Sequence, residues 1–392
     1  MLWWIKRLVV IGILFASLIS GALVWSAAPP LSMLVYLAFT PQGNLDEITL
    51  YVLDLNTGKI VASMGRSEAP GGGVLPPTWS HDGRLAFAAR PDGNDEIYVW
   101  DGATFTNISQ HEGLDINPTW SQDGRLAFSS YRDGNGEMYV WDGTKISNIS
   151  HLEADVFDAV WSTDGQLAFR ANPDGNNDIF VWDGTEVTNI SQYPANDDYP
   201  RWGPNGQLSF LSHRGGKSEI YVWDGTMLVN LGQGENYLLG IPEWGWSLDG
   251  RLAFVSIRDG NEEIYVWDGI EITNISQHPS ADTLPVWSND GQLAFVSIRD
   301  GNEEIYVWDG IKITNISQHP GDDVYSEYSS IWSADGRLAF SSKRDGNTEI
   351  YAWDGKRLTR LSDTVNLIEE VAAWWIGEGC VQSLSQCAAT PP

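Results

Sequence analysis

Residues 249–279 read DGRLAFVSIRDGNEEIYVWDGIEITNISQHP, and residues 290–320 read DGQLAFVSIRDGNEEIYVWDGIKITNISQHP. The two stretches differ only at Arg251/Gln292 and Glu271/Lys312. A catalytic constellation is needed once, so near-verbatim duplication points first to a structural unit laid down in series. Aligning on Trp-Ser-x-Asp-Gly extends the unit along most of the chain. Its first tryptophan falls at Trp79, Trp120, Trp161, Trp202, Trp246, Trp287 and Trp332, at intervals of 41, 41, 41, 44, 41 and 45 residues. A second tryptophan follows in each unit, at Trp100, Trp141, Trp182, Trp223, Trp267, Trp308 and Trp353. These positions hold fourteen of the twenty tryptophans, so the enrichment reads as core.

Each unit divides into four short strands. In the sixth they are TLPVWS, QLAFVSI, EEIYVWD and KITNIS. Asp290-Gly291 turns the first strand into the second, RDGN leads into the third, and Asp309-Gly310 turns the third into the fourth. Asp-Gly favours tight hairpins because glycine tolerates positive φ. The third strand, Glu-Ile-Tyr-Val-Trp, is apolar on both faces, as a sheet covered on each side requires. Residues 34–64 supply three strands without a first, and residues 370–375 a first strand without the others. Pairing the two would close a ring of eight blades and remove its exposed sheet edges. The fold expected over residues 31–376 is therefore an all-β, eight-bladed β-propeller of four-stranded blades.

The unit P-x-W-S-x-D-G-x-L-A-F-x-S-x-R-D-G-N-x-E-I-Y-V-W-D resembles the TolB-like propeller repeat, a relative of WD repeats, over about residues 70–362. The resemblance implies a propeller that binds proteins of the cell envelope, as TolB does, or one that accompanies a peptidase domain. TolB itself has six blades and a separate α/β domain, which this chain does not match. The peptidase relatives carry a G-x-S-x-G elbow, which is also missing here. Neither a phosphate-binding glycine loop nor an HExxH or CxxC signature occurs, so no catalytic residue and no cofactor is expected.

Before the repeats, Lys6 and Arg7 precede LVVIGILFASLISGALVW, residues 8–25, which carries no charge. Eighteen residues make about 27 Å of helix, nearly the depth of a bilayer core. Residues 1–28 are expected to be a signal anchor, with cleavage after Ser26-Ala27-Ala28 as the alternative. The basic pair stays on the cytoplasmic side, which places the body outside the cytoplasm, anchored in the membrane or secreted. The only cysteines, Cys380 and Cys387, lie in the tail of residues 377–392 and can form at most a small disulfide loop.

The chain holds 52 acidic against 23 basic residues, a net charge of −29. Such a surface repels nucleic acid and favours a protein or peptide of basic character. The links between blades carry an acid five residues before the inner tryptophan, at Asp115, Asp197, Asp282, Glu327 and Glu369, joined by Asp155, Asp158, Asp198, Asp322 and Asp323. One reading makes Asp115, Asp155, Asp158, Asp197, Asp282, Asp323, Glu327 and Glu369 a negative rim that captures a basic segment. The other has each acid bonded within its own link.

A different class of function, a metal-dependent polysaccharide lyase or hydrolase in the central channel, would use His111, His278 and His319, which share one repeat position. Exposed tyrosines, among them Tyr193, Tyr199, Tyr237, Tyr325 and Tyr328, would suit a lectin-like surface. The loop at Asp259-Gly-Asn261 resembles a calcium loop only faintly and recurs as a turn. The Asn-Ile-Ser sequons at Asn107, Asn148, Asn189, Asn274 and Asn315 follow from repeat copying.

Overall fold

The computed structural model describes residues 32–38, 48–54, 59–66, 77–90, 93–232, 244–324, 332, 336–344, 349–360 and 373–376. Over these residues the chain is β throughout, save a single 3-10 turn at Arg214–Gly216. Its strands form eight four-stranded antiparallel sheets. Seven follow chain order. In the sixth unit the strands are Asp282–Trp287, Leu293–Ser297, Glu304–Trp308 and Ile313–Asn315. The remaining sheet joins the two ends of the chain, running Lys59–Arg66, Ile48–Asp54, Ser32–Ala38 and Ala373–Ile376. Its terminal strands pair from Ser32 with Ile376 to Val35 with Ala373. Among the described residues no helix is long and apolar enough to cross a membrane; the apolar stretch 8–25 lies outside them.

The doubled sequence explains how the sheets stack. Alternate residues of Leu-Ala-Phe-Val and Ile-Tyr-Val-Trp point to opposite faces. Leu293, Phe295 and Tyr306 pack on Ala253, Val255, Ile264 and Val266 of the fifth unit. Ala294, Val296, Ile305 and Val307 receive Trp332, Leu338, Phe340 and Tyr351 of the seventh. Among the described side chains of the regular units, each sheet thus sets a face of large side chains on the smaller-residue face of its predecessor, and both faces are buried. Within a sheet the large residues stack in register, with Phe295 and Tyr306 5.8 Å apart and Trp287 and Trp308 6.1 Å apart.

A second set of contacts fixes one sheet against the next. Trp161 donates its indole N–H to the carbonyl of Thr119 at 3.0 Å, Trp202 to Val160 at 3.1 Å, Trp287 to Gly245 at 3.1 Å and Trp332 to Val286 at 3.1 Å. In each case the acceptor directly precedes the inner tryptophan of the unit before. Where the turn ends in arginine, a guanidinium crosses as well: Arg84, Arg125 and Arg251 lie 4.4, 4.6 and 4.4 Å from the rings of Trp120, Trp161 and Trp287.

The turns are built as their sequence requires. Ser288 Oγ accepts the N–H of Gln292 at 2.8 Å and donates to Asp290, while Gly291 takes φ 85°. Asp309 Oδ1 accepts the N–H groups of Ile311 and Lys312 at 2.9 and 2.8 Å. The first strand of four units carries a bulge three residues before its tryptophan, leaving Asn117, Asp158, Tyr199 and Leu284 in the left-handed region at φ 55–57°.

Candidate functional site

The acids of the interblade links divide into two kinds. Asp115, Asp197, Asp282 and Asp323 open the first strand of their units and are fully buried. Each meets the arginine of its own RDGN-type loop: Arg132 at 3.3 Å, Arg214 at 3.2 Å, Arg299 at 2.9 Å and Arg344 at 2.9 Å. Those guanidinium groups also lie 4.5–4.7 Å from the rings of Tyr139, Tyr221, Tyr306 and Tyr351. The four backbone N–H groups bond the carbonyls of Asp95, Asn177, Glu262 and Glu303 in the preceding units. These carboxylates therefore do not stand on a solvent-facing rim. They neutralise a largely buried arginine and tie neighbouring sheets together, because the arginine needs a counter-charge once most water is excluded.

The seventh unit corrects the count back from tryptophan. Asp323 pairs with Ser342 just as Asp282 pairs with Ser297. Its 45-residue spacing moves the equivalent acid nine residues before Trp332. Glu327 and Glu369 lie outside the described residues.

Units one and three lack the pair. Pro91 and Pro173 replace the arginine, and Val74 and Val156 take the place of the aspartate. Unit five keeps the arginine, Arg258, but has Ile241 five residues before Trp246, so the two positions are lost together only in units one and three.

The second kind of acid includes Asp155, in the link from unit two to unit three, and a group where units three and four meet. Asp155 is half-buried and accepts the N–H of Gly136 at 2.7 Å. Asp158 sits on its bulge with one oxygen 2.8 Å from Arg170 Nε. Arg170 Nη1 reaches across to Asp198 Oδ1 at 2.9 Å, which also accepts from Asn177 at 2.8 Å. His213 Nε2 lies 3.7 Å from Asp198, and its Nδ1 is 2.9 Å from Ser218 Oγ. Burial pushes the Asp158 carboxyl up; Arg170 opposes the shift and Asp198 adds to it. Burial likewise raises Asp197.

Phe157 lies 5.2 Å beneath Arg170, and the exposed Tyr199 follows Asp198 on its strand; Tyr193, also exposed, instead has the Arg214 guanidinium 4.9 Å from its ring. Arg201, on the same strand as Tyr199, donates to the Trp244 carbonyl at 2.6 Å, and burial lowers its pKa to about 10. One arginine thus serves two carboxylates at the junction, with an imidazole and aromatic faces alongside. The sequence reading picked out Asp158, Asp198, Tyr193 and Tyr199. It passed over Arg170, which stands where other units have Ala88, Ser129, Leu211, Val255 and Val296, and His213, which precedes Arg214.

The repeat histidines are engaged locally. His111, His278 and His319 each accept through Nδ1 the N–H of Gly113, Ser280 and Gly321, at 2.9, 3.2 and 3.0 Å. Among the described residues no group of three or more His, Cys, Asp or Glu could hold a metal ion. The sequon amides are engaged too: Asn189 donates to Asp178 at 2.8 Å, and Asn148, Asn274 and Asn315 donate to Glu137, Glu263 and Glu304.

The family model for the TolB beta propeller domain matches residues 23–167. Among solved structures, Porphyromonas gingivalis dipeptidyl peptidase 4 is similar at a TM-score of 0.59 with 14% identity, covering 83% of this chain and 59% of that protein. The β-propeller domain of the Trilobed protease from Pyrococcus furiosus gives 0.44 with 16% identity, over 74% of this chain and 97% of that one. TolB from Acinetobacter baumannii gives 0.34 with 18% identity, over 70% and 76%. No curated protein matches in sequence.

Proposed function

The chain carries TolB-like β-propeller repeats, and from that premise we propose that it is an extracytoplasmic binding scaffold, tethered to the membrane by residues 8–25. In this reading the eight sheets close into one ring through the shared sheet. The first strands, at the sheet edges, then surround a central channel, and the loops between blades rim one of its ends.

The observation that carries the reading is the contrast at the junction of units three and four. Elsewhere the repeat neutralises its acids with its own arginines. There, Asp158 and Asp198 share Arg170 over Phe157, and the exposed Tyr199 follows Asp198 on its strand. Carboxylates flanked by aromatic faces suit a lysine or arginine side chain, by charge and by cation–π contact. The ligand class is therefore a protein or peptide segment of basic character, and the net charge of −29 favours its approach.

Affinity capture from envelope extract with the full chain in mild detergent tests this. The comparison is a variant carrying Asp158→Asn, Tyr199→Ala and His213→Ala. A protein held by the parent and lost by the folded variant supports the scaffold reading with its site at this junction. Identical captures, or none, would overturn that site.

A further inference from the structure

We propose that the tight-turn side of the propeller rests on a lipid bilayer, with Ile270, Ile311 and Met227 entering its surface. The inference rests on the tethered-scaffold reading and adds the orientation of the body on the membrane.

The first argument concerns where the chain arrives. In the sixth unit Trp287, Leu293, Trp308 and Ile313 lie level with one another, at the end that carries the Ser-x-Asp-Gly and Asp-Gly turns. In the shared sheet Met33 pairs with Asp54 and Trp375, and Asp54 with Lys59, so the strand beginning at Ser32 enters at that same end. Only residues 26–31 separate it from the uncharged stretch 8–25. Six residues span at most about 20 Å. An anchor in the bilayer therefore holds the tight-turn side close to the membrane and turns the interblade loops away from it.

The second argument concerns what that side displays. The residue after each Asp-Gly is Ala103, Thr144, Thr185, Thr226, Ile270, Ile311 and Lys356 along the seven units. Threonine serves the turn: Thr144, Thr185 and Thr226 bond Asp142, Asp183 and Asp224 through Oγ1 at 2.8, 2.7 and 2.9 Å. Isoleucine gives up that bond and, at 94% and 95% exposure for Ile270 and Ile311, gains no packing in return. Met227, in the neighbouring turn of unit four, is 64% exposed. Three consecutive units thus hold out large apolar side chains on the side where the anchor enters. Burying them in the interfacial region recovers the missing hydrophobic energy. On the closed ring these units stand away from the shared sheet, so anchor and apolar turns hold the face at two places.

The test uses the full chain with Cys380→Ser and Cys387→Ser, reconstituted in phosphatidylcholine vesicles and labelled with an environment-sensitive fluorophore at Ile270→Cys, Ile311→Cys or Ile298→Cys. Ile298 is 46% exposed at the opposite end of its sheet, beside the RDGN loop, and serves as the internal reference. The expected result is blue-shifted emission at 270 and 311, with quenching by lipid-borne nitroxide several-fold stronger than at 298. Equal quenching by aqueous iodide at all three positions would overturn the orientation while leaving the tether standing. Shielding from iodide without quenching from lipid would mean that a second copy covers the turns, and would also overturn it. Failure of the chain to float with the vesicles would remove the tether itself.

Discussion

Unit six repeats unit five almost letter for letter, whereas unit three has drifted from both, and units six and three handle charge in opposite ways. In unit six Asp282 and Arg299 form a closed pair with the carboxylate fully buried. In unit three the same two positions are Val156 and Pro173, and Arg170 has appeared on the second strand to bridge Asp158 and Asp198. The first arrangement is complete within one repeat and leaves nothing for a partner. The second spans two units, with Asp198 buried and Asp158 and Arg170 partly exposed. A repeat copied intact preserves architecture; individual chemistry appears where its internal charge pairing has been given up.

The largest expected effect separates the two kinds of pair. Asp282→Ala removes a fully buried carboxylate, strands the largely buried Arg299 guanidinium and is expected to cost about 3 kcal/mol. Asp158→Ala, at a half-exposed pair, is expected to cost about 1 kcal/mol or less. Urea unfolding of both variants measures the difference, and equal losses would erase the contrast.

Acid should act on the regular units next. Asp142, Asp183, Asp224, Asp268 and Asp309 are held below the usual carboxylate range, chiefly by the backbone N–H groups of their turns. Their folded values lie below the unfolded ones, so their stabilisation is present above about pH 4 and is lost as pH falls through the folded values. Asp158 runs the other way: its folded value is raised, so its linked contribution is present at low pH and lost as pH rises through that value. Melting temperature from pH 7 to pH 2.5 should therefore fall for the parent. It should fall less for Asp268→Asn with Asp309→Asn, whose amides still accept the turn bonds without titrating.

A smaller effect tests one of the two differences between the doubled stretches. Arg251 forks onto Asp249 and stacks over Trp287, whereas Gln292 reaches only Asp290, at 3.0 Å. Arg251→Gln should lose about 0.5–1 kcal/mol, and Gln292→Arg should gain a similar amount by stacking over Trp332. At the other difference, Glu271 and Lys312, the turn uses only backbone N–H groups, which explains why opposite charges fit there. The smallest change is Ile311→Thr, expected to stabilise the turn by about 0.5 kcal/mol through the restored hydroxyl bond. Differential calorimetry in detergent would resolve its direction.

The sequence by itself determined the unit, its four strands and its two tight turns. All of these depend on residues near one another in the chain, namely alternating apolar positions and glycines that accept positive φ. The 17-residue spacing of Asp115 to Arg132 and of Asp282 to Arg299 was also present in the sequence, as was its joint loss in units one and three. What the sequence could not separate was an acid facing water from one facing its own arginine, since both look alike along a strand. A bulge reverses which side chains point outward, and four extra residues move Asp323 into the place that counting gives to Glu327. Only the tertiary structure decided that Asp158, Arg170, Asp198 and His213 meet. They come from three strands of two sheets and the turn after a fourth, and side-chain contacts across stacked sheets depend on packing that no periodicity records.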